Sequence, residues 1–109
     1  MFGAGLYTLM DRLPVPCADV IAWSRWWRAA DRKVDGTDCG PHYVSTIFLG
    51  VVHGWDDEGL PLLFETMVFQ GTNMGGIEQW RCATWAQAEE QHARAVDIYT
   101  RRANMGVVS

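Results

Sequence analysis

The chain lacks any pair of cysteines at metal or redox spacing. Cys17, Cys39 and Cys82 are its only three, and no CxxC pair occurs. That leaves no basis for a disulfide framework or a cysteine zinc site. No apolar run reaches the length of a bilayer span. The opening residues, MFGAGLYTLMDRLPVP, hold no charged leader followed by an apolar stretch, so no cleavable signal is expected. These absences predict a cytoplasmic chain with reduced thiols and no membrane association. There is no GxGxxG, no phosphate-binding loop and no HExxH, hence no expectation of a cofactor or a metal. Basic residues are scarce: 9 Lys and Arg stand against 13 Asp and Glu, a net charge of −4. That balance argues against direct nucleic-acid binding, which draws on clustered cations. Arg25, Arg28, Arg32 and Lys33 make one basic cluster, diluted by Asp31 and Asp35. An acidic chain of this kind suits a protein partner or a basic surface.

What is present is an ordinary globular composition. With 109 residues, 49% apolar and 20% charged, the chain is expected to form a single α+β domain over 1–109 with a modest core. Six tryptophans stand out, at positions 23, 26, 27, 55, 80 and 85. They fill a core poor in aliphatic residues, or some of them anchor a partner.

The organising stretch is HYVSTIFLGVVHGWDDEGLPLLFETMVF, residues 42–69. Two runs rich in β-branched and aromatic residues, 43–52 and 60–69, flank a Gly- and Asp-containing segment at 53–59. The runs are short for helices, so they predict two antiparallel strands. Neither run is polar on alternate positions, which predicts a central hairpin at least partly covered on both faces. Before it, residues 5–10 suit a short strand, and Leu13-Pro14-Val15-Pro16 is a stiff lead-in. Over 17–31 the apolar residues Val20, Trp23, Trp27 and Ala30 recur at helical spacing, with Ile21 widening the stripe. This predicts about four turns with Trp26 off the inner face and exposed. Residues 33–38 suit an edge strand, 70–76 a loop and 78–83 a further strand. Thr84-Trp85-Ala86-Gln87 reads as a capping box opening the last helix. Its inner stripe is Trp85, Ala88, His92, Ala95, Val96 and Tyr99, with Glu90–Arg94 and Asp97–Arg101 as pairs four apart. Asn104 and Gly106 end it. The predicted fold is an antiparallel sheet of three to four strands on the central hairpin, with an N-terminal and a C-terminal helix packed on it.

Few residues suggest chemistry. His53, Asp56, Asp57 and Glu58 share the hairpin tip and could hold a divalent ion if the loop folded back, although Gly and Asp there are ordinary turn formers. Glu65 lies within an apolar strand and His92 on an apolar helix stripe. In contact they would form a general acid–base pair, with Cys82 on the neighbouring strand; apart, each is a satisfied structural group. No nucleophile motif completes a site, so no catalytic residue is assigned.

STIFLGVVHGWDDEGLPLLFETMVF followed by WRCATWAQAEEQHARAV resembles a family of short phage- and prophage-encoded proteins. In that family a strand reading like STVFLGLDH leads through a Gly-rich turn to PLLFETMVF, then to a Thr-Trp helix start and a His within the helix. The matching positions are 45–53, 61–69, Thr84-Trp85 and His92, and the helix with Trp23 and Ala30-Asp31-Arg32 is also similar. The likeness covers about residues 15–98 and departs at Val52, where the family carries an acidic residue. It implies a phage or prophage origin and a place in the host cytoplasm, and brings no activity with it. Three functions are open. The first is non-enzymatic binding to a host protein, such as anti-CRISPR-like inhibition of host defence, with Trp26, Trp55, Asp56 and Asp57 as contacts. The second is sequestering a small molecule or nucleotide signal. The third is a small hydrolase using Glu65 and His92, or a metal at the tip. Exposed strand edges and surplus tryptophans also make a homo-oligomer an expectation.

Overall fold

The computed structural model describes residues 5–71 and 75–105. Asn73, Met74 and Gly106 of the sequence reading lie outside these. The fold is α+β, with one helix near each end and two antiparallel sheets.

Tyr7–Met10 (β1) and Leu13–Pro16 (β2) form a two-stranded sheet of their own. The strand at β2 is a departure from the sequence reading. Prolines are tolerated because such a ribbon consists only of edges. Asp11 and Arg12 make the turn with φ of 51° and 69°; two-residue hairpin turns demand this left-handed backbone. The Arg12 guanidinium lies over the Trp85 ring at 5.1 Å.

Val20–Ala29 (α1) is shorter than its apolar spacing predicts. Asp19 caps it, its carboxylate accepting from the amides of Ile21 and Ala22, and the chain is extended again at Ala30. Its inner face is also rotated from the expected one. Val20 and Ile21 are exposed, while Trp23, Trp26 and Trp27 face inward. Trp26 meets Phe48 edge-on at 5.9 Å, so the expectation of an exposed Trp26 is not met. The cause is spacing: 23, 26 and 27 share one helix face more closely than 20, 23 and 27 with residue 21.

The main sheet has the order β3-β4-β5-β6, all antiparallel, from Lys33–Cys39 (β3), His42–Phe48 (β4), Phe64–Gln70 (β5) and Glu78–Cys82 (β6). Trp85–Asn104 (α2) crosses one face of it, opened by the expected capping box of Thr84 and Gln87. Alternation along the central strands sends Val44, Thr46, Phe48, Phe64, Thr66 and Val68 to that face, all buried. Ala88, His92, Ala95 and Tyr99 meet them from α2. On the other face Tyr43, Ser45, Ile47, Met67 and Phe69 are half-buried, and α1 leans on β1 instead. Asp97 and Arg101 pair at 3.0 Å, whereas the expected Glu90–Arg94 pair does not form.

The hairpin strands end earlier than their composition predicts. β4 stops at Phe48, and Gly50 takes φ 78°. Here the tryptophans of α1 take over: the Trp23 indole N–H donates to the carbonyls of Tyr7 and Gly50, and that of Trp27 to Leu49, at 3.0–3.2 Å. The Arg32 guanidinium covers Trp27 at 3.7 Å and donates to the Phe48 carbonyl. A Cβ on residue 50 would stand 3.0 Å from Trp27 Cδ1. Gly50→Ala therefore combines left-handed strain with overpacking and is expected to cost about 2–4 kcal/mol. Urea unfolding checks this as a lower midpoint at unchanged m.

Candidate functional site

The structure does not bring Glu65 and His92 together. Glu65 pairs across the sheet with Ile47 and Arg81, pointing away from α2, while its neighbour Thr66 points towards it. Buried Glu65 accepts from Arg81 Nε at 3.0 Å, so its charge is answered within the sheet. His92 is buried on the other side, under the helix. The acid–base pair considered from the sequence is absent because adjacent strand residues face opposite ways.

His92 instead sits in a chain of hydrogen bonds. Its Nδ1 is 2.7 Å from Thr46 Oγ1, and that hydroxyl is 2.7 Å from Thr66 Oγ1. Gln91 Nε2 donates to Thr66 Oγ1 and to the Trp80 carbonyl. On the far side, His92 Nε2 is 2.9 Å from Thr37 Oγ1 and 3.7 Å from the exposed Asp35 carboxylate. One assignment of protons satisfies every link. Gln91 donates to Thr66, Thr66 to Thr46 and Thr46 to Nδ1, while the proton on Nε2 faces Thr37 and Asp35. Burial lowers the His92 pKa and outweighs Asp35, which acts the other way, so the ring is neutral near pH 7.

Asp35, His92 and Thr46 stand in the order acid, imidazole, hydroxyl, as in a hydrolase triad. Thr46 has no exposed surface, however, and a substrate carbonyl cannot reach it. Cys82 is no substitute nucleophile: burial pushes its thiol up to about 11, leaving it protonated. The constellation holds the helix; it does not present a reacting atom.

The tip of the β4–β5 connection, residues 49–63, carries exposed apolar side chains. Its backbone is held by several hydrogen bonds. His53 N donates to the Leu62 carbonyl, Leu62 N to Gly54, Asp56 N to Leu60 and Gly59 N to Asp56, at 2.9–3.0 Å. Trp55 and Pro61 form a bridge. Asp56 Oδ1 accepts from the amides of Glu58 and Leu60 at 2.8 and 2.9 Å. Asp56 is thus a turn-holding residue, half-buried, while Asp57 and Glu58 are exposed. Trp55 is 64% exposed and Leu60 41%. Among the described residues, no group of three His, Cys, Asp or Glu side chains is placed to hold a metal ion.

Beside the tip, a groove of about 370 Å³ runs between β6 and α2. Trp80, Leu62, Ala95 and Ile98 give it apolar walls, and Arg81, Arg94, Glu90 and Asp56 also line it. Sequence reasoning did not find it, since Arg94 reads there as the partner of Glu90. Among the described residues no helix is long and apolar enough to cross a membrane. No family model, curated protein or solved structure matches the chain.

Two outcomes follow for the buried chain. Thr46→Val leaves His92 Nδ1 and Thr66 short of a partner at nearly constant volume and is expected to cost about 1–3 kcal/mol in urea unfolding. His92 binds a proton more weakly folded than unfolded, so the unfolded chain takes it up first. The stability due to neutral His92 is whole above its ordinary value of about 6.5 and is lost as pH falls from there through the depressed folded value. Between about pH 7.5 and about pH 5, wild type should lose more stability than His92→Gln. Equal losses would show that His92 does not carry the dependence.

Proposed function

We propose that this protein acts by binding another protein, without catalysis, and that the tip of the 49–63 connection is its contact. The observation that supports this is Trp55: a large aromatic side chain, 64% exposed, on a backbone fixed by bridge, turn and carboxylate bonds. Exposing such a ring is unfavourable unless something covers it. Holding it rigid lowers the ordering entropy that binding must overcome. Leu60 extends the apolar surface, and Asp57 and Glu58 flank it with negative charge, which suits an apolar slot rimmed by basic groups.

The resemblance of 45–53 and 61–69 to phage-encoded proteins supports a phage or prophage origin and a host-cell protein as the partner. A component of a defence system, inhibited in the manner of an anti-CRISPR, is the partner class this favours. Glu65, His92 and Thr46 are committed to internal bonds, which weighs against the hydrolase reading.

The test is affinity capture by the tagged chain from bacterial lysate, read by mass spectrometry beside a Trp55→Ala variant. A stoichiometric protein should be retained by wild type and weakened about 30-fold or more by Trp55→Ala, a hot-spot loss of at least about 2 kcal/mol. The fold of the variant, read by circular dichroism, should be unchanged, because Trp55 is 64% exposed. Capture indifferent to Trp55→Ala would overturn the assignment of the tip.

A further inference from the structure

We infer that the tip and the neighbouring groove are self-complementary, and that the free protein is a two-fold dimer in which Trp55 of each copy seats in the β6–α2 groove of the other. The tip offers an apolar projection, Trp55, with acids on its flank, Asp57 and Glu58. The groove offers the converse: apolar walls from Trp80, Leu62 and Ile98, with Arg81 and Arg94 among its lining residues.

The charges support this pairing. Asp56 lines the groove too, but its carboxylate is engaged by the amides of Glu58 and Leu60. Arg81 is held on one side by Glu65. Arg94 has no ion-pair partner among the described residues, although Glu90 lies one turn before it on the same helix. It is therefore the cation free to meet an incoming carboxylate. Glu90, also on the rim, is the one acid of the groove without a partner among the described residues.

Position supports it as well. Asp56 follows Trp55 in the chain and lines the groove, so projection and socket are neighbours in the fold. Neighbouring complementary features meet reciprocally across a two-fold axis, with the same contact made twice and the assembly closed at two copies. At about 370 Å³ the groove has room for an indole. The inference shares with the proposed function the view of Trp55 as an anchor, and adds an occupant that this chain itself supplies.

Light scattering coupled to size exclusion on the full chain tests it. Wild type should run at twice the 12.3 kDa of one chain, and Trp55→Ala and Arg94→Glu should each run as single chains with unchanged circular dichroism. The Asp57→Arg/Glu58→Arg variant should also be a single chain alone. Mixed with Arg94→Glu it should form a heterodimer, because both contacts then again join opposite charges; misfolded variants could not do this. A wild type that stays at 12.3 kDa throughout, or a dimer that survives both Trp55→Ala and Arg94→Glu, overturns the inference. The partner reading is decided separately, by capture. Arg94→Glu keeps its tip and should still retain the partner, whereas Trp55→Ala should lose both.

Discussion

Two threonine hydroxyls at the centre of the sheet determine where the long helix sits. Thr46 and Thr66 face each other on the central strands, both fully buried. Buried hydroxyls are tolerated only when bonded. Their bonds run on to His92 and Gln91, consecutive residues of α2. Apolar contacts alone would hold this helix loosely in register, since Ala88 and Ala95 offer smooth surfaces to Val44, Val68 and Phe64. Directional bonds from two adjacent positions do not permit such sliding. With α2 fixed there, Trp85 meets Phe64 edge-on at one end. At the other, Tyr99 packs by His42 and its hydroxyl donates to Glu78. The whole helix is registered from its middle.

A second constraint acts where the β4–β5 ladder ends. Once β4 stops at Phe48, carbonyls that would have continued the ladder need other donors. The indole N–H groups of Trp27 and Trp23 supply them to Leu49 and Gly50, and that of Trp23 also donates to Tyr7 of β1. Thus α1, which buries no residue completely, is attached through hydrogen bonds and ring stacking more than through a deep core. It joins the β1–β2 ribbon to the main sheet. It also fixes the root of the 49–63 connection, where the amides of Leu49, Val52 and His53 are paired on the way to the exposed Trp55.

The sequence makes the elements with strong periodicity legible. The capping box at Thr84, the buried stripe of α2 and the antiparallel pairing of β4 with β5 all appear as the residues indicate. β2 was hidden because proline argues against strands, a rule that fails in a ribbon with no interior position. The face of α1 was misjudged because Val20 and Ile21 outrank nothing when three tryptophans lie on the neighbouring face. For Glu65 and His92, their burial was legible and their separation was not. Two polar residues in apolar segments look alike in sequence; only pairing parity decides which side of the sheet each occupies. The groove was invisible, since it exists only where β6, α2 and the tip meet.

The arrangement divides its polar groups into two populations. Thr46, Thr66, Gln91 and His92, between the sheet and the helix, satisfy one another, and their service is to fix geometry. Those at the tip and along the groove rim, namely Asp57, Glu58, Glu90 and Arg94, have no ion-pair partner among the described residues. If self-association and partner binding both use Trp55, the two are mutually exclusive. The apparent affinity for the partner then falls in proportion to the fraction of chains left as monomers. Dilution would then release the anchor and concentration would mask it, so the binding surface stays covered until a tighter ligand displaces the second copy.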